Sequence, residues 1–91
     1  MVSQNNYTLY FTKQAQKNAE KIKLSPYKNK VLKLLELIKM NPYATNPPHE
    51  QLIGNLSGAY SRRINIQHRL VYQVIEQERI VKIIRMWTHY E

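Results

Sequence analysis

Three arginines, one carboxylate and one histidine are the side chains of this sequence whose types and spacing could do chemistry. Arg62, Arg63 and Arg69 fall within eight positions of one another, inside the stretch from Tyr60 to Tyr72. There, β-branched and aromatic residues alternate with cationic ones on either side of a polar break at Asn65 to Gln67, which reads as two strands meeting at a tight turn. Such a hairpin offers a cationic surface to an anion. His89, followed by Tyr90, could transfer protons near neutrality, because an ordinary imidazole titrates near pH ~6.5. Glu50 ends a proline-rich loop and is the carboxylate nearest the hairpin on its N-terminal side, so it could accept a proton. Each also has a plainer reading. An arginine on a strand is often a solvated edge residue, a histidine near a chain end is often solvated, and a loop carboxylate is often only exposed. Spacing alone leaves both readings open.

Other chemistries find little support. His49, His68 and His89 are isolated, without an H-x-x-x-H pair and without cysteine, so no metal site is expected. Gly54 and Gly58 are the only glycines, too few for a phosphate-cradling loop, and no nucleotide cofactor is expected. Nothing marks Ser57 or Ser61 as a nucleophile. What remains is acid–base chemistry on an anion.

The composition agrees. Fourteen Lys and Arg against six Asp and Glu give a net charge of +8, the footprint of a chain that meets phosphate or a strongly acidic protein. A membrane surface ranks third, since it usually calls for a basic amphipathic helix with Trp, Phe or Leu on its other face, and the single Trp87 lies in a strand-like segment. No apolar h-region opens the chain and no run is long enough to span a bilayer. Without cysteine the chain fits a reducing compartment, and a cytoplasmic location is expected.

Ninety-one residues make a single domain, 1–91, that buries about 60 to 65% of its unfolded-chain surface. Tyr7 to Phe11 is β-prone. After Thr12, a candidate N-cap, Ala15, Ala19 and Ile22 recur at helical spacing to about Lys23. Ser25 and Pro26 look like the N-cap and first position of a second helix, whose stripe is Tyr27, Val31, Leu34, Leu35 and Ile38, until Asn41-Pro42 stops it. Asn41 to Glu50 reads as an irregular loop, and the residues from Gly54 to Gly58 as a turn. Arg69 to about Ile75 is a strand, Glu76 to Glu78 a polar turn, and Arg79 to Met86 a strand apolar on both faces, as a central strand should be. The order β-α-α-β-β-β predicts an α+β fold, two helices packed on one face of a mostly antiparallel four-stranded sheet, with the arginines on the open face.

The run Leu56-Ser57-Gly58-Ala59-Tyr60-Ser61-Arg62-Arg63-Ile64, with His68-Arg69-Leu70-Val71-Tyr72 and His89-Tyr90, resembles the YoeB/Txe family of bacterial toxins in the RelE/ParE superfamily. The resemblance covers nearly the whole chain. It implies a RelE-like fold and a toxin that cleaves messenger RNA in the A site of a translating 70S ribosome, held inactive by a YefM-like antitoxin. Operator DNA would be met only through the antitoxin, no membrane is involved, and a homodimer is a further expectation. Matched residue by residue, Glu50 is the family's carboxylate, Arg69 its active-site arginine, His89 its imidazole and Tyr90 its terminal tyrosine. Arg63 is the last arginine of the Ser-Arg-Arg motif, and Arg62 its neighbour, both expected to meet RNA, with Arg62 toward the outer face. Three departures stand out. His49 and Gln51 flank Glu50 where the family has prolines, Tyr60 stands where Trp is common, and Met86-Trp87-Thr88 separates Arg85 from His89.

The implied reaction needs no metal. Glu50 would take the proton of a ribose 2′-hydroxyl, Arg69 would stabilise charge on the phosphorane, and His89 would protonate the leaving 5′-oxygen, with Tyr90 against a base or the phosphate. The alternatives from other classes are a non-nucleolytic toxin like the ParE branch, which generally lacks the set Glu50, Arg69 and His89, and a basic module that binds RNA or the ribosome without cutting.

Overall fold

The computed structural model describes residues 6–46, 48–51 and 58–87. The elements run β1 (Thr8–Phe11), α1 (Lys13–Lys23), α2 (Lys28–Met40), β2 (Glu50–Gln51), β3 (Ala59–Arg63), β4 (Arg69–Ile75) and β5 (Ile80–Arg85), with a 3-10 turn at Glu76–Glu78 before β5. The strands form one sheet in the order β1-β5-β4-β3-β2. Only β1 and β5 pair in parallel, and the other three pairings are antiparallel. The α+β class and the two-helix layer are as expected, but the sheet has five strands rather than four. The addition is β2, a two-residue edge strand against β3, too short to carry any alternation that a sequence could reveal.

Local chemistry explains the element ends. Thr12 caps α1 by accepting from the Ala15 N–H at 3.1 Å, and its hydroxyl donates to the Ile84 carbonyl at 2.7 Å, so one side chain starts the helix and ties it to β5. Helix α2 begins two residues later than its predicted start at Pro26. The Ser25 hydroxyl joins the helices instead, donating to Ile22 O at 2.9 Å and accepting from Tyr27 N–H at 3.1 Å. In the β3–β4 turn, Asn65 Oδ1 accepts from the N–H groups of Gln67 and His68 at 2.8 and 2.6 Å. A short amide able to bond its own backbone two or three residues on suits that position.

Val31, Leu34 and Ile38 of α2 and Ala15 and Ile22 of α1 pack on Leu70, Tyr72, Val81 and Ile83 of β4 and β5. β5 has a neighbour on each side, as its apolar run predicted, and is buried on the helix side at Val81 and Ile83, while Ile80, Lys82 and Ile84 on its other face are half-buried. Asn18 of α1 is a buried polar exception, and its Oδ1 accepts the Met86 N–H at 3.0 Å, fixing the end of β5. Beside the sheet, the Glu76 carboxylate accepts from the hydroxyls of Tyr7 and Tyr43, each at 2.6 Å. Arg79, with φ 54°, lies over the Tyr7 ring at 4.1 Å and 3.5 Å from Glu76. Glu76 therefore clips the loop after α2 to the segment that leads into β1.

Candidate active site

The loop that carries Glu50 is held from below by Arg62. That side chain is 1% exposed, against the expectation that it faces outward to meet RNA. Its Nε–H donates to the Tyr72 hydroxyl at 2.9 Å, and its Nη2 donates to the carbonyls of Pro42 and Ala44 at 3.2 and 2.6 Å. The Tyr72 hydroxyl donates in turn to Pro42 O at 2.7 Å. Burial pushes the Tyr72 phenol above its ordinary value and outweighs the opposite pull of Arg62, so the hydroxyl remains a donor. The guanidinium, buried where water cannot solvate it, is directed at carbonyl and hydroxyl oxygens. Arg62 is thus a tether for the loop, with no surface to offer a ligand.

Pairing register brings the cleft residues together. Glu50 lies opposite Ser61, Ser61 opposite Val71, and Arg63 opposite Arg69. Because paired and alternate residues share a face, Glu50, Ser61, Arg63 and Arg69 project to one side of the sheet, and Arg62, Leu70 and Tyr72 to the side that meets the core. Arg69 Nη1 stands 3.6 Å from Glu50 Oε1. These residues line a cleft of about 440 Å³ together with Pro48, His49 and, from α2, Lys30 and Leu34. The sheet therefore does not bound the site alone, as the picture of a bare open face had it.

The site is strongly cationic, with Lys30, Arg63 and Arg69 around one carboxylate. The Arg69 and Glu50 side chains are 29% and 69% exposed, so water screens their attraction and the pair adds little to stability, ~0 to 1 kcal/mol. An anion entering the cleft would meet a guanidinium with a carboxylate beside it, an arrangement that can neutralise charge and accept a proton from the same ligand. Ser61, 3% exposed, makes no side-chain hydrogen bond among the described residues and adds a hydroxyl to the wall.

Of the predicted site residues, Glu50, Arg63 and Arg69 come together in this cleft. His89 and Tyr90 lie outside the described residues, as do Leu52 to Ser57. The segment leading to them is anchored: Trp87 stacks on buried His68 with centroids 3.8 Å apart and planes 17° apart, and Tyr27 stands 6.2 Å from the Trp87 ring. His49 was not anticipated at the site. Its position directly before Glu50 was the available signal.

Comparison with known proteins places this geometry. Residues 3–90 match the model of the YoeB-like toxin of bacterial type II toxin-antitoxin systems. The chain belongs to the YoeB-like toxin family. The match confirms the resemblance drawn from the arginine hairpin. A YoeB toxin of Synechocystis sp. is 38% identical over 58 residues, 64% of this chain and 65% of the relative, so the alignment spans just under two thirds of that protein. A YoeB toxin of Mycobacterium bovis is 36% identical over 61 residues, 67% of this chain and 69% of the relative. Among solved structures, a YoeB/ParE toxin from Agrobacterium tumefaciens superposes with a TM-score of 0.82 at 28% identity, covering 91% of this chain and 99% of that one. The Staphylococcus aureus YoeB–YefM complex gives 0.76 at 34%, covering 92% and 98%. The S. aureus toxin has also been solved as a dimer. The YoeB-like fold thus accounts for both the two-helix layer and the arginine hairpin. Among the described residues no helix is long and apolar enough to cross a membrane.

Proposed function

We propose that this YoeB-like toxin is a ribosome-dependent endoribonuclease that cuts messenger RNA by metal-independent attack of a 2′-hydroxyl on the adjacent phosphate, and so stops translation. The observation that carries the reading is the Glu50–Arg69 pair, 3.6 Å apart in a cleft walled by Lys30 and Arg63. Glu50 takes the proton from the 2′-hydroxyl, and the 2′-oxygen bonds to phosphorus. Arg69 meets the negative charge that builds on the phosphorane, where a placed donor contributes most. The bond from phosphorus to the 5′-oxygen breaks, His89 supplies the proton to that oxygen, and the upstream fragment keeps a cyclic phosphate. Arg63 holds the backbone, Tyr90 stacks on a base or steadies the phosphate, and Ser61 offers a hydrogen bond to a phosphate oxygen.

Acid and base steps of this kind each contribute ~10²–10⁴-fold, which leaves orientation of the RNA to another surface. The ribosome is that surface, and the helix lysines bind it through contacts to phosphate. The complexes formed by the S. aureus relative support a YefM-like antitoxin as the natural inhibitor of this chain, and its dimer supports self-association; the setting of this reading is the cytoplasm. The test is primer extension on a message under translation. Wild-type protein should produce a new 5′ end, and His89→Gln should abolish it and Glu50→Ala sharply weaken it while antitoxin binding survives. An uncut message with wild-type protein overturns the reading and leaves a toxin that acts by occupying its target.

A further inference from the structure

We infer that His49 is a second general base in the Glu50 cleft, taking the 2′-hydroxyl proton on Nε2, with Arg62 as the residue that positions it. The inference rests on the endoribonuclease reading and adds a residue to it.

Three observations carry it. His49 lines the same cleft as Glu50, Arg63 and Arg69. Its Nδ1 lies 3.2 Å from the Ala44 carbonyl oxygen. A carbonyl has no proton to give, so the ring hydrogen sits on Nδ1 and the lone pair on Nε2. The ring is also fixed in angle, edge-on to Tyr60 with centroids 5.1 Å apart and planes at 77°. A base whose other nitrogen donates to an oriented acceptor is a recurrent way of setting tautomer and aim.

The acceptor is itself held. Ala44 O takes the 2.6 Å hydrogen bond from buried Arg62, so guanidinium, carbonyl and imidazole form a continuous line from the interior to the cleft. This gives the buried Arg62 a purpose that its place in the Ser-Arg-Arg run did not suggest. Among the described residues, the other charged or titratable groups around the ring are Glu50 beside it, Tyr60 and Arg63 of β3, Lys30 of α2, Arg69 of β4, and Tyr43, whose ring meets Tyr60 at 5.9 Å.

The step balances without a further reactant. The O2′–H bond breaks as Nε2 takes the proton, the 2′-oxygen bonds to phosphorus, and the bond to the 5′-oxygen breaks as that oxygen takes a proton from the general acid of the proposed reaction. The imidazolium then returns its proton to water.

The test is single-turnover cleavage on programmed ribosomes from pH 5 to 8, comparing wild type, His49→Asn, Glu50→Gln and the double variant. Asparagine can keep a donor for Ala44 O and lacks a basic nitrogen, so its loss of rate would not come from losing the tether. Circular dichroism and antitoxin binding check that each variant is folded. We expect Glu50→Gln to keep slow cleavage whose rate rises with pH. His49→Asn should lose that rise and recover part of it with added imidazole, and the double variant should fall by a further ~10²-fold or more. A His49→Asn profile parallel to wild type, with no response to imidazole, overturns the role of His49 while leaving the nuclease reading intact. Failure of wild-type protein to cut at any pH overturns both.

Discussion

Glu50 and Arg69 stand 3.6 Å apart although their strands, β2 and β4, are not neighbours in the sheet. Strand β3 lies between them, with Ser61 opposite Glu50. Contact depends on a long guanidinium arm reaching past a small side chain, so length and planarity at position 69 matter as much as charge.

Replacing Arg69 tests that dependence. Arg69→Lys keeps the positive charge but shortens the arm and removes the fork, and cleavage should fall by roughly 10²–10³-fold, the scale seen when one transition-state donor is lost. Because the pair is exposed, the melting temperature should move little. Single-turnover cleavage and a thermal melt on the same preparation separate the two effects. A lysine variant with full activity would show that simple charge suffices.

Arg62 should behave in the opposite way. Arg62→Met fills similar volume but removes the donors to Tyr72, Pro42 and Ala44, and stability should drop by at least about 1.5–3 kcal/mol, the worth of one hydrogen bond to a charged group. Urea denaturation reads this directly. Unchanged stability would mean that the loop after α2 is held by other contacts.

Acid should loosen the clip around Glu76. Hydrogen bonds from Tyr43 and then Tyr7 hold the Glu76 carboxyl below its ordinary 4.5. A carboxyl with a depressed folded value contributes stability that is present above pH ~4.5 and is lost as pH falls through the folded value. Denaturation midpoints between pH 3 and 6 should therefore fall more steeply for wild type than for Glu76→Gln. Parallel curves would remove Glu76 from the acid response.

Salt and chelators probe the partner and the chemistry. Ribosome binding should weaken linearly in log[salt], and Arg63→Ala should lower the slope by about one phosphate contact. Cleavage should be unchanged in excess EDTA once the ribosomes are assembled and washed, provided a control shows that translation complexes persist. A rate that tracks added divalent ion would contradict proton transfer by side chains alone.

Much of this was legible in the residues. Alternation around Asn65 marked the β3–β4 hairpin, and the apolar run from Ile80 to Ile84 marked β5 as central, because both patterns report burial directly. Alternation also shows that Arg62 and Arg63 face opposite ways, yet it does not show which face is covered. The cover over Arg62 is the loop at Pro42 and Ala44, which has no periodicity to read. Glu50 and Arg69 could be named, but their meeting across β3 depends on strand order, which pairing decides. For His49 the one signal was its place directly before Glu50, and its tautomer follows only from the carbonyl it faces.

The parallel pairing of β1 with β5 also sets an order of events during synthesis. β5 sits between β1 and β4 and is made after both. Thr12 and Asn18 hold α1 to the far end of that strand. A nascent chain that has not yet released β5 from the exit tunnel has no sheet to join its first strand to its hairpin. The sheet that carries the Glu50 cleft is therefore completed late, by β1–β5 contacts of high sequence separation.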